Sequence, residues 1–359
     1  MSFLELACLR GHSGAVQCAV FNASGSHCLS GGTDRVVNLW NPYRPPFEED
    51  AATGALVVQQ YRGHGHDVTG IAVAGDGALF ASVGGDRCAF VWDTERGEAT
   101  RRVYGHDSRV SAVALGGDGG AAASVLATGG DDMTLRLHDL RAPATRGPLQ
   151  TLKGFRDKVT GVAVVEGCIL ATCLDGALRA WDLRAGRATT DVLPAGPGAA
   201  AGGAPAPLTA LAPPTPSSAL VASTRAGGTL ALLDRPSGAV LATMVGHTCR
   251  NYRCVPALLP GGTGVVCGGE GGELLFWDAL APPGAAPVPL PAVHRGPVAH
   301  VHSVALEGTG ETVVLSAGHD GTVRLWEKRG GGSGSASGAS LHQGDVALQR
   351  SLGAPTHRH

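Results

Sequence analysis

Histidine, serine and aspartate recur together in this chain of 359 residues, at a spacing that could build a charge-relay triad. In such a triad a serine attacks, a histidine takes its proton and an acid orients the histidine. The two most complete groups, each with a tryptophan six residues after the acid, are His12, Ser30, Asp34 and Trp40, and His64, Ser82, Asp86 and Trp92. A catalytic triad would occur once, beside a cleft. The repetition therefore predicts hydrogen-bonded sets inside a repeated structural unit, with no catalytic residue and no enzymatic activity.

Five further groups keep only part of this set. The third has His106, Thr128 and Asp132 with His138 at the Trp position, and the fourth has Asp175 and Trp181 with Phe155 near the His position. The fifth keeps Ser223 and the final Asp234, and the sixth has His247 and Trp277 with Cys267 and Gly271 at the Ser and Asp positions. The seventh has Ser316, Asp320 and Trp326, and its candidate histidine is His294, which follows Val293 and not a glycine. Removing one partner of a buried set leaves the others without hydrogen bonds, at about 1–3 kcal/mol each.

Other residue types that carry chemistry form weaker patterns. His300 and His302 alternate along a strand and could face a metal together with His294, but no cysteine or carboxylate completes a ligand set. The nine cysteines include no Cys-x-x-Cys pair, which predicts small buried thiols. No glycine-rich phosphate loop opens a helix. The sequence therefore predicts neither a metal site nor a cofactor.

The elements that position these groups are short strands. After His12, the segments 16–21, 26–30 and 36–40 are apolar runs separated by turns that contain glycine, which is typical of an antiparallel meander. An outer strand follows each Trp position, for example at 55–61, 99–104, 149–152 and 239–245. The last repeat lacks one after Trp326, so the strand-like segment 3–9 is expected to supply it and cover the open edge.

The unit returns about every 43–52 residues, a period typical of propeller blades. Gly-His pairs, at residues 11–12, 63–64, 105–106 and 246–247, precede the Trp-Asp-like endings, and this combination resembles the WD40 repeat family. We predict an all-β, seven-bladed WD40 β-propeller, closed by an N-terminal outer strand, over residues 1–328. Loops are expected to be inserted at about 42–54, 193–207 and 281–291, and the Gly/Ser-rich segment 329–359 is expected to be a disordered tail.

Composition limits the partners. The 28 basic and 30 acidic residues give a net charge of −2, so no global field favours nucleic acid, and direct RNA contact is not expected. The chain contains no long apolar span, and its first residues do not resemble a secretory leader. We therefore expect no membrane partner and a cytoplasmic and nuclear location. A monomeric propeller within larger protein complexes is the expected state.

Several stretches resemble one group of WD-repeat proteins, the mitogen-activated protein kinase organizer family. They include Leu-Trp-Asn-Pro at 39–42, Arg-Gly-His-Gly-His-Asp-Val at 62–68, Asp-Arg-Pro-Ser-Gly at 234–238 and Asn-Tyr-Arg at 251–253. The resemblance runs from about residue 8 to 328. It implies a non-catalytic scaffold for kinase-cascade proteins and a spliceosomal component, and the splicing role is the one we expect to transfer.

A second function stays open. Residues 169–184 end in Trp-Asp-Leu-Arg and resemble the box by which WD proteins dock to the adaptor of cullin-four RING ubiquitin ligases. The docking residue would be Arg184, with Arg141 as a second copy after His138. Under this alternative the chain would be a ligase substrate receptor.

Overall fold

The computed structural model describes residues 2–43, 57–116, 123–143, 147–165, 167–183, 185, 187–192, 205–212, 219–224, 228–234, 239–279, 281, 285–290 and 293–329. These residues form 28 strands, arranged as seven four-stranded antiparallel sheets, and one 3₁₀ turn at Pro260–Gly262. Six sheets are consecutive meanders, which we call blades 1 to 6 in chain order. Blade 7 contains the last three strands and the first. This is the architecture of a seven-bladed β-propeller.

The strand bounds follow the period of the sequence. Blade 1 contains β2 (Val16–Phe21), β3 (Cys28–Gly32), β4 (Val36–Trp40) and β5 (Val57–Arg62), and blade 2 contains β6 (Val68–Val73), β7 (Leu79–Gly84), β8 (Ala89–Asp93) and β9 (Ala99–Val103). Blade 3 contains β10 (Val110–Gly116), β11 (Val125–Gly130), β12 (Leu135–Asp139) and β13 (Gln150–Leu152), and blade 4 contains β14 (Val159–Val165), β15 (Cys168–Cys173), β16 (Ala177–Asp182) and β17 (Arg187–Val192).

The second half is similar. Blade 5 contains β18 (Leu208–Leu211), β19 (Ala219–Thr224), β20 (Thr229–Asp234) and β21 (Val240–Val245), and blade 6 contains β22 (Ala257–Leu258), β23 (Gly264–Gly268), β24 (Leu274–Asp278) and β25 (Val288–Leu290). Blade 7 contains β26 (Val298–Ala305), β27 (Thr312–Gly318), β28 (Thr322–Arg329) and, as its outer strand, β1 (Ser2–Arg10). Strand β25 lies inside the loop predicted at 281–291, since apolar Val288 and Leu290 pair with β24 despite the surrounding prolines.

The N-terminal strand completes the last blade, as predicted. Strand β1 pairs antiparallel with β28 from Ser2 opposite Arg329 to Arg10 opposite Thr322. Arg324 also forms an ion pair with Glu5 across this pair of strands, at 3.0 Å. Because the two strands are more than three hundred residues apart in the chain, this pairing ties its first and last described segments together.

Apolar side chains fill the space between neighbouring blades. Between blades 1 and 2, for example, Leu39 and Tyr61 pack with Phe80 and Trp92 in one buried cluster. Between blades 7 and 1, Leu9 and Leu325 pack with Trp40. Seven of the nine cysteines are buried, and all nine are free thiols, as the sequence predicts. The described residues contain no helix with the length and hydropathy that crossing a bilayer requires.

The innermost strand of six blades carries a bulge after its first residue. There the register with the second strand shifts by one, so one residue is extra: Gln17, Thr69, Ser111, Thr160, Thr209 and Ala299. A bulge re-aims the extra side chain and frees its backbone groups from the ladder. Among the extra residues, Thr69, Ser111 and Thr160 each donate their side-chain hydroxyl to a carbonyl oxygen at the start of the next blade, at 2.5, 2.6 and 2.8 Å. Blade 6 lacks this bulge, and its innermost strand has only two residues.

Candidate functional site

In blade 1 the four repeated polar residues form one chain of hydrogen bonds. Trp40 Nε1 donates to Ser30 Oγ at 2.7 Å, and Ser30 Oγ lies 2.7 Å from His12 Nε2. His12 Nδ1 lies 2.7 Å from an Asp34 carboxylate oxygen, which also accepts the backbone N–H of Ser13 at 3.2 Å. With Nδ1 protonated, each donor in the chain has one acceptor. The chain thus ties the loop before the blade to its second and third strands.

Blades 2 and 7 contain the same chain. In blade 2, His64 lies 2.9 Å from Asp86 and 2.7 Å from Ser82, which accepts from Trp92 Nε1 at 2.8 Å. In blade 7, His294 lies 3.0 Å from Asp320 and 2.8 Å from Ser316, which accepts from Trp326 Nε1 at 3.0 Å. His294 therefore takes the histidine position although a valine, not a glycine, precedes it.

In blades 3 and 7 the electrostatics favour a neutral histidine beside an ionised acid. Burial would raise the pKa of Asp320, but the hydroxyl of Thr322, the N–H of Arg295 and His294 all donate to the carboxylate and hold its pKa at about 2. Burial lowers the pKa of His294 and of His106. The serine and threonine hydroxyls are also enclosed, with 0% of Ser30, Ser82 and Ser316 and 1% of Thr128 exposed. A substrate cannot reach these oxygens in the folded blade.

Blade 3 keeps the acid end of the chain and loses the tryptophan end. His106 lies 2.9 Å from Asp132 and 2.9 Å from Thr128 Oγ1. His138 takes the Trp position and is 6% exposed, and its Nε2 atom is buried without a hydrogen-bond partner. Burial lowers the pKa of His138 to about 4, and the nearby His106 and Arg136 contribute in the same direction. The ring lines a pocket of about 250 Å³ beside Arg102.

Blade 4 replaces the histidine with an arginine from its third strand, which the sequence pattern did not indicate. Arg179 donates to both oxygens of Asp175, at 3.1 and 2.6 Å, while Asp175 still accepts the N–H of Arg156 at 3.2 Å. The guanidinium carbon lies 5.0 Å from the ring centre of Phe155, which packs 5.5 Å from Trp181. The sequence feature that could have indicated this exchange is Arg179, four residues after Asp175.

Blade 6 departs furthest from the pattern. Both ring nitrogens of His247 are buried and have no hydrogen-bond partner in the part of the chain that the structure describes. Trp277 Nε1 donates to the carbonyl of Val245 at 3.1 Å. The turn carboxylate comes from Glu270, one residue before the position at which the other blades have their acid. Glu270 Oε1 accepts the N–H groups of Arg250, Asn251 and Tyr252 at 2.6, 2.5 and 2.9 Å. Burial would raise the pKa of Glu270, but these three donors lower it. Sequence reasoning missed this anchor because the acid is shifted by one position.

The remaining predicted residues lie in blade 5 and in the segments that follow the Trp positions of blades 3 and 4. In blade 5, Ser223 lies in β19 and Asp234 ends β20. The exposed Arg141 forms an ion pair with Asp139 at 3.2 Å. Arg184, most of the predicted loops at 42–54 and 193–207, and the tail from residue 330 lie outside the described residues.

A pocket of about 560 Å³ lies where the innermost strands converge, and every blade contributes to its lining. The six bulged residues form its wall, and Asn251, Tyr252 and Arg253 of blade 6 enter it from the loop that Glu270 anchors. Charged side chains stand around it: Arg109 pairs with Asp67 at 2.6 Å, and Lys158 pairs with Asp131 at 3.0 Å. The pocket is concave and has both charged and apolar lining, and its described lining residues offer a surface for binding.

The blades, their polar chains and the central pocket define a WD-repeat scaffold. A family model for the WD domain, G-beta repeat, matches residues 4–41, 56–93, 97–139 and 292–327. The chain is 31% identical over 315 residues to human WD repeat domain-containing protein 83, covering 88% of this chain and 89% of that protein, and 30% identical over 317 residues to the mouse protein with the same coverage. The chain therefore belongs to the WD40 repeat family.

A more distant relative is the U5 small nuclear ribonucleoprotein 40 kDa protein of Dictyostelium discoideum. It is 24% identical over 178 residues, which cover 49% of this chain and 46% of that protein. The matches to WD repeat domain-containing protein 83 extend much further along the chain, and the resemblance noted in the sequence is to this protein.

Proposed function

We propose that this protein is a non-catalytic adaptor that holds protein partners together in complexes of pre-mRNA splicing, in the nucleus and the cytoplasm. The observation that carries the non-catalytic part is the enclosure of the Ser/Thr–His–Asp sets. In blades 1, 2 and 7 the hydroxyl that would have to attack a substrate is fully buried and already accepts a hydrogen bond from a tryptophan indole. A nucleophile needs an open face and a nearby oxyanion site.

Two similarities support the pathway. The chain resembles WD repeat domain-containing protein 83 over most of its length, and the family resemblance implies a scaffold with a spliceosomal role. A relative that matches about half of the chain is named for the U5 small nuclear ribonucleoprotein. Scaffolding of a mitogen-activated protein kinase cascade is the other role that the family resemblance implies.

Affinity purification of the tagged full-length chain, followed by mass spectrometry, tests this proposal. Extracts are treated with ribonuclease, so that proteins captured only through RNA are lost. Recovery of splicing proteins after this treatment supports the adaptor role. Kinase-cascade proteins in their place, or no reproducible partner, would overturn the splicing assignment.

A matched pair of baits separates the ligase alternative. The Arg184→Ala and Arg141→Ala variants are compared with the unchanged chain in the same experiment. Splicing proteins should be recovered equally with all three baits. Capture of a cullin-four adaptor by the unchanged chain and its loss with Arg184→Ala would instead identify a ligase substrate receptor.

A further inference from the structure

Among the described residues that line the central pocket, Arg253 is a cation whose charge is not balanced by a carboxylate. Arg253 Nη1 donates to the carbonyl of Ser111, across the pocket in blade 3, at 2.7 Å. Its Nε atom is buried and has no hydrogen-bond partner among the described residues. Among the residues that the structure describes, no carboxylate lies within ion-pair distance of this guanidinium, whereas Arg109 and Lys158 beside it each pair with an aspartate. A cation held partly out of water without a counter-ion is costly, and an anion that reaches it recovers part of that cost.

The partner of Arg253 within the protein follows from the bulge in blade 3. The extra residue, Ser111, has its carbonyl oxygen free of the strand ladder, and this oxygen accepts from the arginine. The hydrogen bond fixes one edge of the guanidinium on the pocket wall. The Nε donor is enclosed, so the donor that faces an incoming group is Nη2, which is not among the enclosed atoms and bonds to no described residue. Burial lowers the pKa of Arg253 to about 10, and the positive charge of Arg109 contributes in the same direction, so the side chain is still a cation at neutral pH.

The loop that carries Arg253 is held from three sides. Glu270 accepts three consecutive N–H groups just before it, and Cys249 Sγ donates to the carbonyl of Tyr252 at 3.0 Å. Just after it, Val255 forms a parallel bridge with β26 of blade 7. These contacts fix the arginine before a ligand arrives, which reduces the entropy that binding would cost.

The rim next to Arg253 adds an aromatic contact surface. Tyr252 is 44% exposed, and its ring lies edge-on to His319 of blade 7 at 4.9 Å. Tyrosines of this kind contribute large contact areas at low entropic cost in protein interfaces. The site therefore combines one deep cationic donor with a flat apolar rim.

We propose that this pocket binds an acidic side chain from an extended segment of a protein partner, with the anionic group on Arg253 and the neighbouring residues of the segment against Tyr252. The proposal rests on the adaptor function and names the chemistry of the partner. The anionic group is the carboxylate of an aspartate or glutamate, and a phosphate, which accepts from a guanidinium in the same geometry, is the comparison in the test. An extended peptide fits better than RNA because the two other cations are already paired and the net charge of the chain is −2.

Random peptides displayed on phage provide the probe. The library is selected on the purified full-length protein and, in parallel, on Arg253→Gln. Selection on the unchanged chain should enrich Asp and Glu at one fixed position, and this enrichment should vanish on Arg253→Gln. Enrichment of basic or purely apolar peptides, no enrichment, or the same acidic peptides on both proteins would overturn the proposal.

The best peptide is then synthesised and its affinity measured by fluorescence polarisation. Arg253→Gln should weaken binding roughly tenfold or more, and Glu270→Gln, which loosens the loop without touching the ligand, should weaken it by a smaller factor. Arg62→Gln, on the exposed outer strand of blade 1, is the matched control and should bind as the unchanged chain does. Should Arg253→Gln fail to fold, Arg253→Lys keeps the charge, and the loss of its planar donor set should still weaken binding.

Three further arms decide the source of the anion and separate the two proposals. Phosphoserine in place of the acidic residue tests phosphate against carboxylate, and tighter binding of either supports the site. An oligouridylate probe that binds more tightly than the peptide and is lost in Arg253→Gln would identify RNA as the ligand and overturn the peptide proposal. Peptide binding that fails while splicing proteins are still recovered by affinity purification, with Arg253→Gln as well, would reject the site and leave the adaptor function standing.

Discussion

Blades 2 and 6 begin with the same Gly-His pair and end with the same Trp-Asp pair, yet their interiors differ. In blade 2, His64 connects Ser82 to Asp86, and every polar group of the chain has a partner. In blade 6, His247 occupies the equivalent place with neither nitrogen partnered, because cysteine and glycine replace the serine and the aspartate. The carboxylate has moved one residue, to Glu270, and accepts from the loop backbone only.

The difference separates two tasks of the turn carboxylate. In blade 2, Asp86 orients His64 and also accepts the N–H of Gly65, the residue that follows this histidine, at 3.0 Å. Glu270 performs only the second task, but with three N–H donors in place of one. The polar residues of blade 2 therefore stabilise the sheet, and those of blade 6 stabilise the loop that places Arg253 in the central pocket.

The same substitution in both blades should give the largest contrast. His64→Phe leaves Ser82 and Asp86 without their partner, and the free energy of unfolding should fall by about 2–4 kcal/mol. His247→Phe removes two buried nitrogens that have no partner, so stability should stay within about 1 kcal/mol of the unchanged chain. Phe155 of blade 4 shows that a phenyl ring fits near this position.

Urea denaturation followed by tryptophan fluorescence measures both effects. The near-neutral result for His247→Phe is the sharper of the two, since any destabilisation as large as that of His64→Phe would mean that His247 is as important to its blade as His64. Equal losses would abolish the distinction between the two blades.

Much of the fold could be predicted from the sequence, because the alternation of apolar residues in strands and the glycines in turns are local patterns. The bounds of β2 and β6 agree with the apolar runs after the first two Gly-His pairs, and the outer strand β1 was expected from the absence of one after Trp326. Strand β25 was not predicted, because the prolines beside Val288 and Leu290 are typical of a loop.

The polar sets were less accessible where a residue was shifted or exchanged for another type. The spacing placed His12 and His64 with their serines and acids, and the structure brings these residues together. The spacing did not indicate Arg179, because an arginine takes the place of the histidine that bonds to the turn aspartate. It did not indicate Glu270, because this acid lies one position earlier and still accepts the N–H groups of the loop before the blade. The role of Arg253 depends on a bulge in another blade, which no local pattern records.

Blade 3 is intermediate between blade 2, where every polar group of the chain is partnered, and blade 6, where the histidine is unpartnered among the described residues. Its stability should be sensitive to acid. The pKa of His138 is about 4 in the folded protein, below the value of 6.5 for a free histidine. The unfolded chain therefore binds the proton first. The stability that the neutral ring contributes is fully present above pH 6.5 and is lost as the pH falls towards 4, by roughly 1–2 kcal/mol at pH 5. Comparing urea denaturation at pH 7 and pH 5 for the unchanged chain and His138→Trp isolates this loss.

His66→Gln is the control for that experiment, because the His66 ring is 64% exposed. It should keep the acid sensitivity of the unchanged chain. A His138→Trp protein that loses as much stability at pH 5 as the unchanged chain would show that the buried ring does not titrate as inferred.

At neutral pH, His138→Trp should also stabilise blade 3. The new indole N–H is placed to donate to Thr128 Oγ1, as Trp40 and Trp92 donate to their serines, and the pocket of about 250 Å³ beside His138 provides room for the larger ring. We expect a gain of about 1 kcal/mol, from one net hydrogen bond and additional apolar burial. His138→Phe fills the same space without the donor, and an equal gain from both would attribute the effect to burial alone.

The smallest effect is expected from converting blade 6 towards blade 2. Cys267→Ser with Gly271→Asp offers His247 both of its missing partners, and the free energy of unfolding should rise by about 0.5–1 kcal/mol. A side chain at Gly271 would meet a Glu273 carboxylate oxygen 2.5 Å from its Cβ, a flexible end that can move aside. Because Glu270 remains to hold the loop, binding of the selected acidic peptide should not change. A stabilised protein with unchanged peptide affinity would show that the sheet and the loop of this blade are independent, whereas a loss of affinity would mean that the introduced aspartate competes with Glu270 for the loop backbone.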